Sequence, residues 1–140
     1  MKMKLNEVQE RFARLAAMGE LVLPTKLSFA IAKNMETLRK ETEGIEKERE
    51  KLCRQYADKD KNGEPVMLDS VVNGRKIQEY KMSRETSKEL NRDYKELLET
   101  EVDLEIRMEK RALIEQCEEK ERYTIPSMAQ IQALEFMLED

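Results

Sequence analysis

Residues 31–56 read IAKNMETLRKETEGIEKEREKLCRQY and contain the longest regular pattern in the chain. The pattern repeats at alternating spacings of four and three residues, which is the period of one helix face and of a coiled-coil seam. Its positions, here called the seam, are Ile31, Met35, Leu38, Thr42, Ile45, Arg49, Leu52 and Tyr56. Because Pro24 suits the first turn of a helix, we predict one helix over residues 24–57, about 50 Å long.

The seam is weak in its middle. Thr42 and Arg49 are polar, and Gly44 lies beside them, so this part of the helix needs a specific partner surface. A second helix is predicted over residues 83–101 as the antiparallel mate, but it spans only about 28 Å. The rest of the seam is therefore expected to be covered by residues 109–138 or by another chain, either a second copy in a homodimer or a different protein.

A β-hairpin is predicted between the two helices, within residues 58–82. The stretch VMLDSVVNGRKIQEYK, residues 66–81, carries apolar side chains on both sides of Asn73-Gly74. Asn-Gly is the strongest two-residue signal for a hairpin turn, because both of its residues accept a positive φ. We therefore place a hairpin at the junction of the helices.

The two ends of the chain are predicted to add a small strand pair. Residues 1–23 begin with alternating apolar residues, typical of a strand, and continue with a short helix. Residues 102–108 alternate in the same way and are predicted to pair with that first strand, although a helix stays open as an alternative because their residue types also favour helices. Residues 109–140 are predicted to be helical and to end in an amphipathic helix with one apolar face, Met128, Ile131, Leu134, Met137 and Leu138.

These elements predict an α+β, mainly α fold of a single domain, residues 1–140. Of these residues, 40% are charged and 5% are aromatic, with no tryptophan, which favours long charged helices around a thin core. Residues 101–140 carry 11 acidic against 5 basic side chains, while residues 1–100 are nearly balanced. No basic stripe is present, so nucleic-acid binding is disfavoured.

The residue types also bear on chemistry and location. The chain has no histidine, which removes the usual general base and every Ser-His or Cys-His pair. We predict that the protein is not an enzyme and has no cofactor, with carboxylate chemistry on a metal left open. Cys53 and Cys117 form no CxxC pair, which is typical of free thiols in a reducing cytoplasm. No signal peptide or membrane-length apolar run occurs, so we expect a cytoplasmic protein without membrane binding.

Residues 58–69, DKDKNGEPVMLD, have the outline of an EF-hand calcium loop. The weak candidate ligands are Asp58, Asp60, Asn62 and Asp69. Against calcium, Pro65 lacks the N–H that such loops use to pair with a neighbour, and strand residues stand where an exiting helix should begin. The stretch is therefore interpreted chiefly as a helix end followed by a turn, and no metal site is favoured.

Three segments carry a resemblance to a known family. They are LPTKLSFAIAKNMETLRKETEGIEKEREKLCRQYADKDKNGEPV (23–66), KELNRDYKELLETEVDLEI (88–106) and IPSMAQIQALEFMLED (125–140). Together they resemble an uncharacterised family of small phage and prophage proteins from Gram-positive hosts. The resemblance implies a phage-encoded protein in a bacterial host cell. The order helix, β-hairpin, helix is also similar to prefoldin subunits, although the extra elements at both ends depart from that plan.

The combined expectation is a non-enzymatic protein that acts in protein–protein interaction or assembly through the seam. One alternative is a phage inhibitor of a host enzyme or defence complex. The sequence also leaves open a prefoldin-like chaperone or a calcium-responsive module.

Overall fold

The computed structural model describes all residues, Met1–Asp140, and its mainly helical α+β architecture confirms the predicted fold class. The helices are α1 (Leu5–Ala17), α2 (Thr25–Tyr56), α3 (Arg84–Leu98), α4 (Ala112–Glu119) and α5 (Met128–Leu134), and a short 3₁₀ turn covers Glu135–Met137. The strands are β1 (Lys2–Lys4), β2 (Met67–Val72), β3 (Arg75–Tyr80), β4 (Glu101–Asp103), β5 (Glu109–Lys110) and β6 (Leu138–Glu139). None of the helices is both long enough and apolar enough to cross a bilayer.

The chain, treated as one domain from its sequence, groups into two compact units. The first unit contains residues 1–43 and 101–140, and the second contains residues 44–100. Helix α2 contributes residues to both units.

Helix α2 forms within one residue of its predicted bounds at each end. The carbonyl of Pro24 accepts the N–H groups of Leu27 and Ser28 at 3.0 Å each, so this proline stands at the helix start as predicted. In the first unit, α2 buries a stripe at helical spacing that consists of Leu27, Ala30, Asn34 and Leu38. One of these four buried side chains is polar.

The small strand pair forms between β1 and β4, which are antiparallel with Lys2 opposite Asp103 and Lys4 opposite Glu101. The predicted strand over residues 102–108 is too long, because pairing stops at Asp103. The N–H of Leu104 still donates to the carbonyl of Met1 at 2.9 Å. Beyond this point β1 offers no further residues, so the following backbone needs another partner.

Asn34 supplies that partner from the buried face of α2. It is 1% exposed; its Oδ1 accepts the N–H of Arg107 at 2.7 Å, and its Nδ2 donates to the carbonyl of Arg107 at 3.0 Å. One amide side chain thus makes both hydrogen bonds that a neighbouring strand would make. The segment between β4 and β5 therefore lies against a helix and does not belong to a sheet.

The C-terminal region differs from the predicted helices. Helix α4 begins only at Ala112 and α5 ends at Leu134, because β5 and β6 form a parallel pair with Glu109 opposite Leu138. The predicted amphipathic helix through Leu138 is therefore wrong in its last turn. Its apolar face is also divided, since Leu134, Met137 and Leu138 are buried whereas Met128 is 77% exposed.

In the second unit, β2 and β3 form the predicted hairpin. Met67 lies opposite Tyr80 at its open end, and Val72 lies opposite Arg75 beside the turn. Asn73 and Gly74 have φ values of 53° and 77°, which is the left-handed pair of a type I′ turn. Ser83 then caps α3 by accepting the N–H of Thr86 at 3.1 Å.

The first prediction concerns Asn34. Replacing it with leucine leaves the N–H and carbonyl of Arg107 without their partner, so we expect Asn34→Leu to lower the free energy of unfolding by about 1–3 kcal/mol. Amide hydrogen exchange at Arg107, followed by NMR, should accelerate. Thr37→Ala on the same helix removes a side-chain bond to the Lys33 carbonyl and should change stability by less than about 0.5 kcal/mol. Unchanged exchange at Arg107 in Asn34→Leu would contradict the assignment.

The second prediction concerns the ion pair that joins the start of α4 to the 3₁₀ turn. Arg111 donates to both carboxylate oxygens of Glu135, at 2.7 and 2.8 Å, and these bonds lower the pKa of Glu135 from its ordinary 4.5. A lowered pKa adds stability that is complete above the ordinary value and is lost as pH falls through the folded value. Glu135→Gln should therefore be less stable than the parent protein at about pH 7, and the difference in stability should be smaller at about pH 3.

Urea unfolding at the two pH values measures this difference. Glu121→Gln is the matched control, since Glu121 is exposed and its replacement should change stability by less than about 0.5 kcal/mol at either pH. A gap between Glu135→Gln and the parent that persists undiminished at low pH would show that the pair does not act through the charge of Glu135.

Candidate protein-interaction site

The β2–β3 hairpin carries a concentration of exposed apolar side chains. Val71 is 68% exposed, Leu68 49%, Val72 47% and Ile77 38%. Ser70 and Tyr80 are the only residues of either strand that are not exposed. A two-stranded ribbon with so little cover is marginal in stability by itself, so these positions indicate a surface that a partner can cover.

Directly opposed residues of an antiparallel pair share one face of the ribbon. Leu68, Val72 and Ile77 therefore lie on the same face, here called the apolar face, together with Ser70, Arg75 and Glu79. Leu68 lies opposite Glu79, and Val72 lies opposite Arg75. The apolar face thus has a charged side chain beside each of its outer apolar residues.

Ser70 lies opposite Ile77 in the centre of the apolar face. Its hydroxyl oxygen is buried and has no hydrogen-bond partner. A buried polar atom without a partner costs free energy. The single chain therefore covers this hydroxyl oxygen without pairing it.

The second face of the ribbon is mixed and is anchored at one end. It carries Met67, Asp69, Val71, Lys76, Gln78 and Tyr80. The Tyr80 hydroxyl donates a hydrogen bond to the carboxylate of Glu50 on α2, and this bond raises the pKa of Tyr80. The hydroxyl therefore stays protonated at neutral pH, and the open end of the ribbon is tied to the helix.

The backbone gives the hairpin a second anchor at its base. Three backbone hydrogen bonds of 2.8 to 2.9 Å connect Asp58, Val66 and Lys81. The N–H of Asp58 donates to the carbonyl of Lys81, the N–H of Lys81 donates to the carbonyl of Val66, and the N–H of Val66 donates to the carbonyl of Asp58. Nearby, the hydroxyl of Tyr56 donates to the carboxylate of Asp93 on α3. The ribbon is therefore fixed where it leaves the helices, while its turn has no such tie.

Both edges of the hairpin have free backbone groups. The two residues that flank a two-residue turn exchange both backbone hydrogen bonds with each other. In this hairpin they are Val72 and Arg75. The bond from Lys81 to Val66 continues the same alternation. The N–H and C=O groups that point away from the partner strand, here called outward groups, therefore belong to alternate residues. They are Met67, Asp69 and Val71 on β2 and Lys76, Gln78 and Tyr80 on β3. The sheet contains only these two strands, so each edge can accept another strand.

The structure places the residues of the predicted seam differently from this hairpin. Leu38 and Ile45 are buried. Ile31, Met35, Thr42, Leu52 and Tyr56 are half-buried, and Arg49 is exposed. The most regular apolar positions of α2 are therefore largely covered within the single chain.

The first two seam positions border a groove of the first unit. Ile31 and Met35 line a space of about 540 Å³ together with Leu15, Met18 and Leu23. The groove is mostly apolar, but no charged pattern around it selects an occupant. We therefore base the candidate site on the hairpin.

The predicted calcium ligands are divided between a turn and a strand. Asp60 Oδ1 accepts the N–H groups of Asn62 and Glu64 at 2.8 and 3.0 Å, so this carboxylate closes its own loop. Asp69 lies in β2 opposite Gln78. No group of three or more acidic, cysteine or histidine side chains is arranged to hold a metal ion.

Sequence reasoning predicted the hairpin but did not identify it as an interaction site. A signal was present, because β2 has apolar residues at both odd and even positions. A ribbon covered on one face needs apolar residues at alternate positions only. Apolar residues on both faces indicate either a third layer or an exposed surface, and the structure shows exposure.

Comparisons with known proteins do not add to this geometry. No family model matches the chain, and no curated protein or solved structure matches it. The resemblance to phage proteins stays a prediction. The functional argument therefore rests on the hairpin and its surroundings.

Proposed function

We propose that this chain is a non-enzymatic protein-interaction module that docks onto its partner through the β2–β3 hairpin. The observation that supports the proposal is the exposure of Leu68, Val72 and Ile77 on one face of a ribbon with two open edges. Main-chain hydrogen bonds to an open edge supply affinity, and side chains on the face supply specificity. The seam is less available to a partner, since Leu38 and Ile45 are already buried.

Magnitudes favour a partner that uses both the face and an edge. Full burial of a valine, leucine or isoleucine is worth about 1.5–3 kcal/mol. Leu68, Val72 and Ile77 are 38% to 49% exposed, so completing their burial contributes about 1 kcal/mol each. Association costs about 4–15 kcal/mol in lost freedom of motion. The apolar face alone does not offset this cost, whereas strand addition with further side-chain contacts can.

The titratable groups with shifted pKa values support a non-enzymatic role. The raised pKa values of Tyr56 and Tyr80 come from hydrogen bonds to Asp93 and Glu50, and burial raises the pKa of Cys117. Each of these three shifts is explained by a hydrogen bond or by burial. Shifts of this structural kind are common away from active sites.

In the setting that the resemblance predicts, a phage protein acts in the cytoplasm of a bacterial host. The hairpin would then bind a second copy, another phage protein or a host protein. An inhibitor of a host complex belongs to the same class of interaction, because it also needs an exposed docking surface.

The test compares two sets of substitutions. Leu68→Thr/Val72→Thr/Ile77→Thr keeps residues that favour strands and removes the apolar face. Val22→Thr/Met128→Thr is the matched control, since both residues are highly exposed and lie in the first unit. We expect the hairpin variant to lose at least about tenfold in the amount of bound protein, while the control binds like the parent.

Binding is measured as self-association by sedimentation velocity and as capture from bacterial extract with quantitative mass spectrometry. Circular dichroism confirms that each variant is folded. Equal capture and equal mass for the parent and the hairpin variant would overturn the proposed function.

A further inference from the structure

We propose that the β3 edge binds the β3 edge of a second copy, in an antiparallel pair centred on Ile77. The inference rests on the proposed function and names the partner of the same hairpin. It joins two ribbons into one four-stranded sheet around a two-fold axis. Such an interface is closed, because each β3 edge is used once.

The alternation of the strand limits the possible registers. A two-fold axis perpendicular to the sheet keeps each face on its own side, so opposed residues must belong to the same face. The outward backbone groups in the middle of β3 belong to Lys76 and Gln78. A register with Ile77 opposite its own copy places Lys76 opposite Gln78 of the second copy. Those two residues then exchange hydrogen bonds on each side of the axis.

This register also pairs opposite charges. It places Arg75 opposite Glu79 of the second copy, and the symmetry makes this pair twice. In its own hairpin Arg75 faces Val72, and Glu79 faces Leu68, so neither has a charged partner across the ribbon. The second copy supplies the missing partner for both side chains. Opposite charges at directly opposed positions stabilise a strand pair.

The neighbouring registers oppose like charges. A shift in one direction places Lys76 opposite its own copy, and a shift in the other places Arg75 opposite Lys81 of the second copy. Like charges at directly opposed positions are destabilising. The charge pattern of β3 therefore favours the register centred on Ile77 over both alternatives.

The β2 edge is less suited to pairing with its own copy. One register places Asp69 opposite itself. The next places Ser70 opposite itself and Leu68 opposite Val72 of the second copy, without an ion pair. The β3 register has two ion pairs and keeps the two apolar faces side by side, since the axis does not exchange faces. Leu68, Val72 and Ile77 of both copies then form one apolar surface.

Cysteine cross-linking tests the register directly. Ile77→Cys is made in a Cys53→Ser/Cys117→Ala background whose fold is checked by circular dichroism. In a pair that exchanges no hydrogen bonds the Cα atoms lie about 4.5 Å apart, which is within the range of a disulfide. Mild oxidation should link Ile77→Cys into a dimer. Gln78→Cys reports the register shifted toward Lys81, and Ser70→Cys reports pairing through β2, so neither should cross-link.

A charge exchange gives an independent measurement. Arg75→Glu and Glu79→Arg each place like charges opposite one another twice, so each should raise the dimer dissociation constant by at least about tenfold. Arg75→Glu/Glu79→Arg restores opposite charges and should return the constant to within about threefold of the parent value. Sedimentation velocity over a range of concentrations provides these constants.

The outcomes separate this inference from the proposed function. A cross-link at Ile77 together with rescue by the double exchange supports the second copy as partner. A cross-link at Ser70 or Gln78 in its place overturns the register. If the parent protein stays monomeric up to about 100 μM while the apolar face still captures another protein, the second copy is overturned and the docking function stands. If neither association is found, both are overturned.

Discussion

The side chain of Asn34 substitutes for a strand in the first unit. Its amide makes two hydrogen bonds to the backbone of Arg107, at 2.7 and 3.0 Å. That residue lies in the short segment between β4, which pairs with β1, and β5, which pairs with β6. Because Asn34 belongs to α2, it connects both strand pairs to the long helix. The buried amide therefore fixes the segment between two very short sheets, whose strands have only two and three residues.

The second unit differs from the first, because its hairpin keeps apolar side chains exposed. Its hairpin is fixed by Tyr80 at Glu50 and by the hydrogen bonds among Asp58, Val66 and Lys81. A ribbon anchored at its base need not bury its faces in order to persist. This arrangement allows Leu68, Val72 and Ile77 to stay exposed without loss of the hairpin. Anchoring and exposure together are what a docking element requires, because a preformed strand has less conformational entropy to lose on binding.

The sequence predicts an element well where the interactions that form it join residues close together in the chain. Helix α2 and the hairpin turn at Asn73-Gly74 follow from spacing and residue type, and the structure contains both. The role of Asn34 could not be predicted, because its partner Arg107 is distant in sequence. For the same reason the C-terminal helix was predicted too long. The pairing of Leu138 with Glu109 is a distant backbone contact that leaves no mark on helical periodicity.

The candidate site was missed for a related physical reason. Regular spacing identifies residues that share a face, but it does not say whether that face is covered. The seam has the more regular pattern, yet Leu38 and Ile45 are buried. The irregular apolar content of β2 and β3 proved more informative, since no single covering layer can bury both faces of a ribbon.

Charged residues on an exposed strand usually protect its edge from pairing. On β3 they place like charges opposite each other in the two registers next to the one proposed above. Lys76 lies among the outward groups and would face its own copy in one shifted register, while Arg75 would face Lys81 in the other. Asp69, near the centre of β2, would face its own copy in one register of a β2–β2 pair. In the proposed pair, charges placed in this way do not prevent strand addition, but they make the neighbouring alignments unfavourable. An exposed edge can then serve association without promoting unlimited aggregation, since the attractive alignment closes on itself.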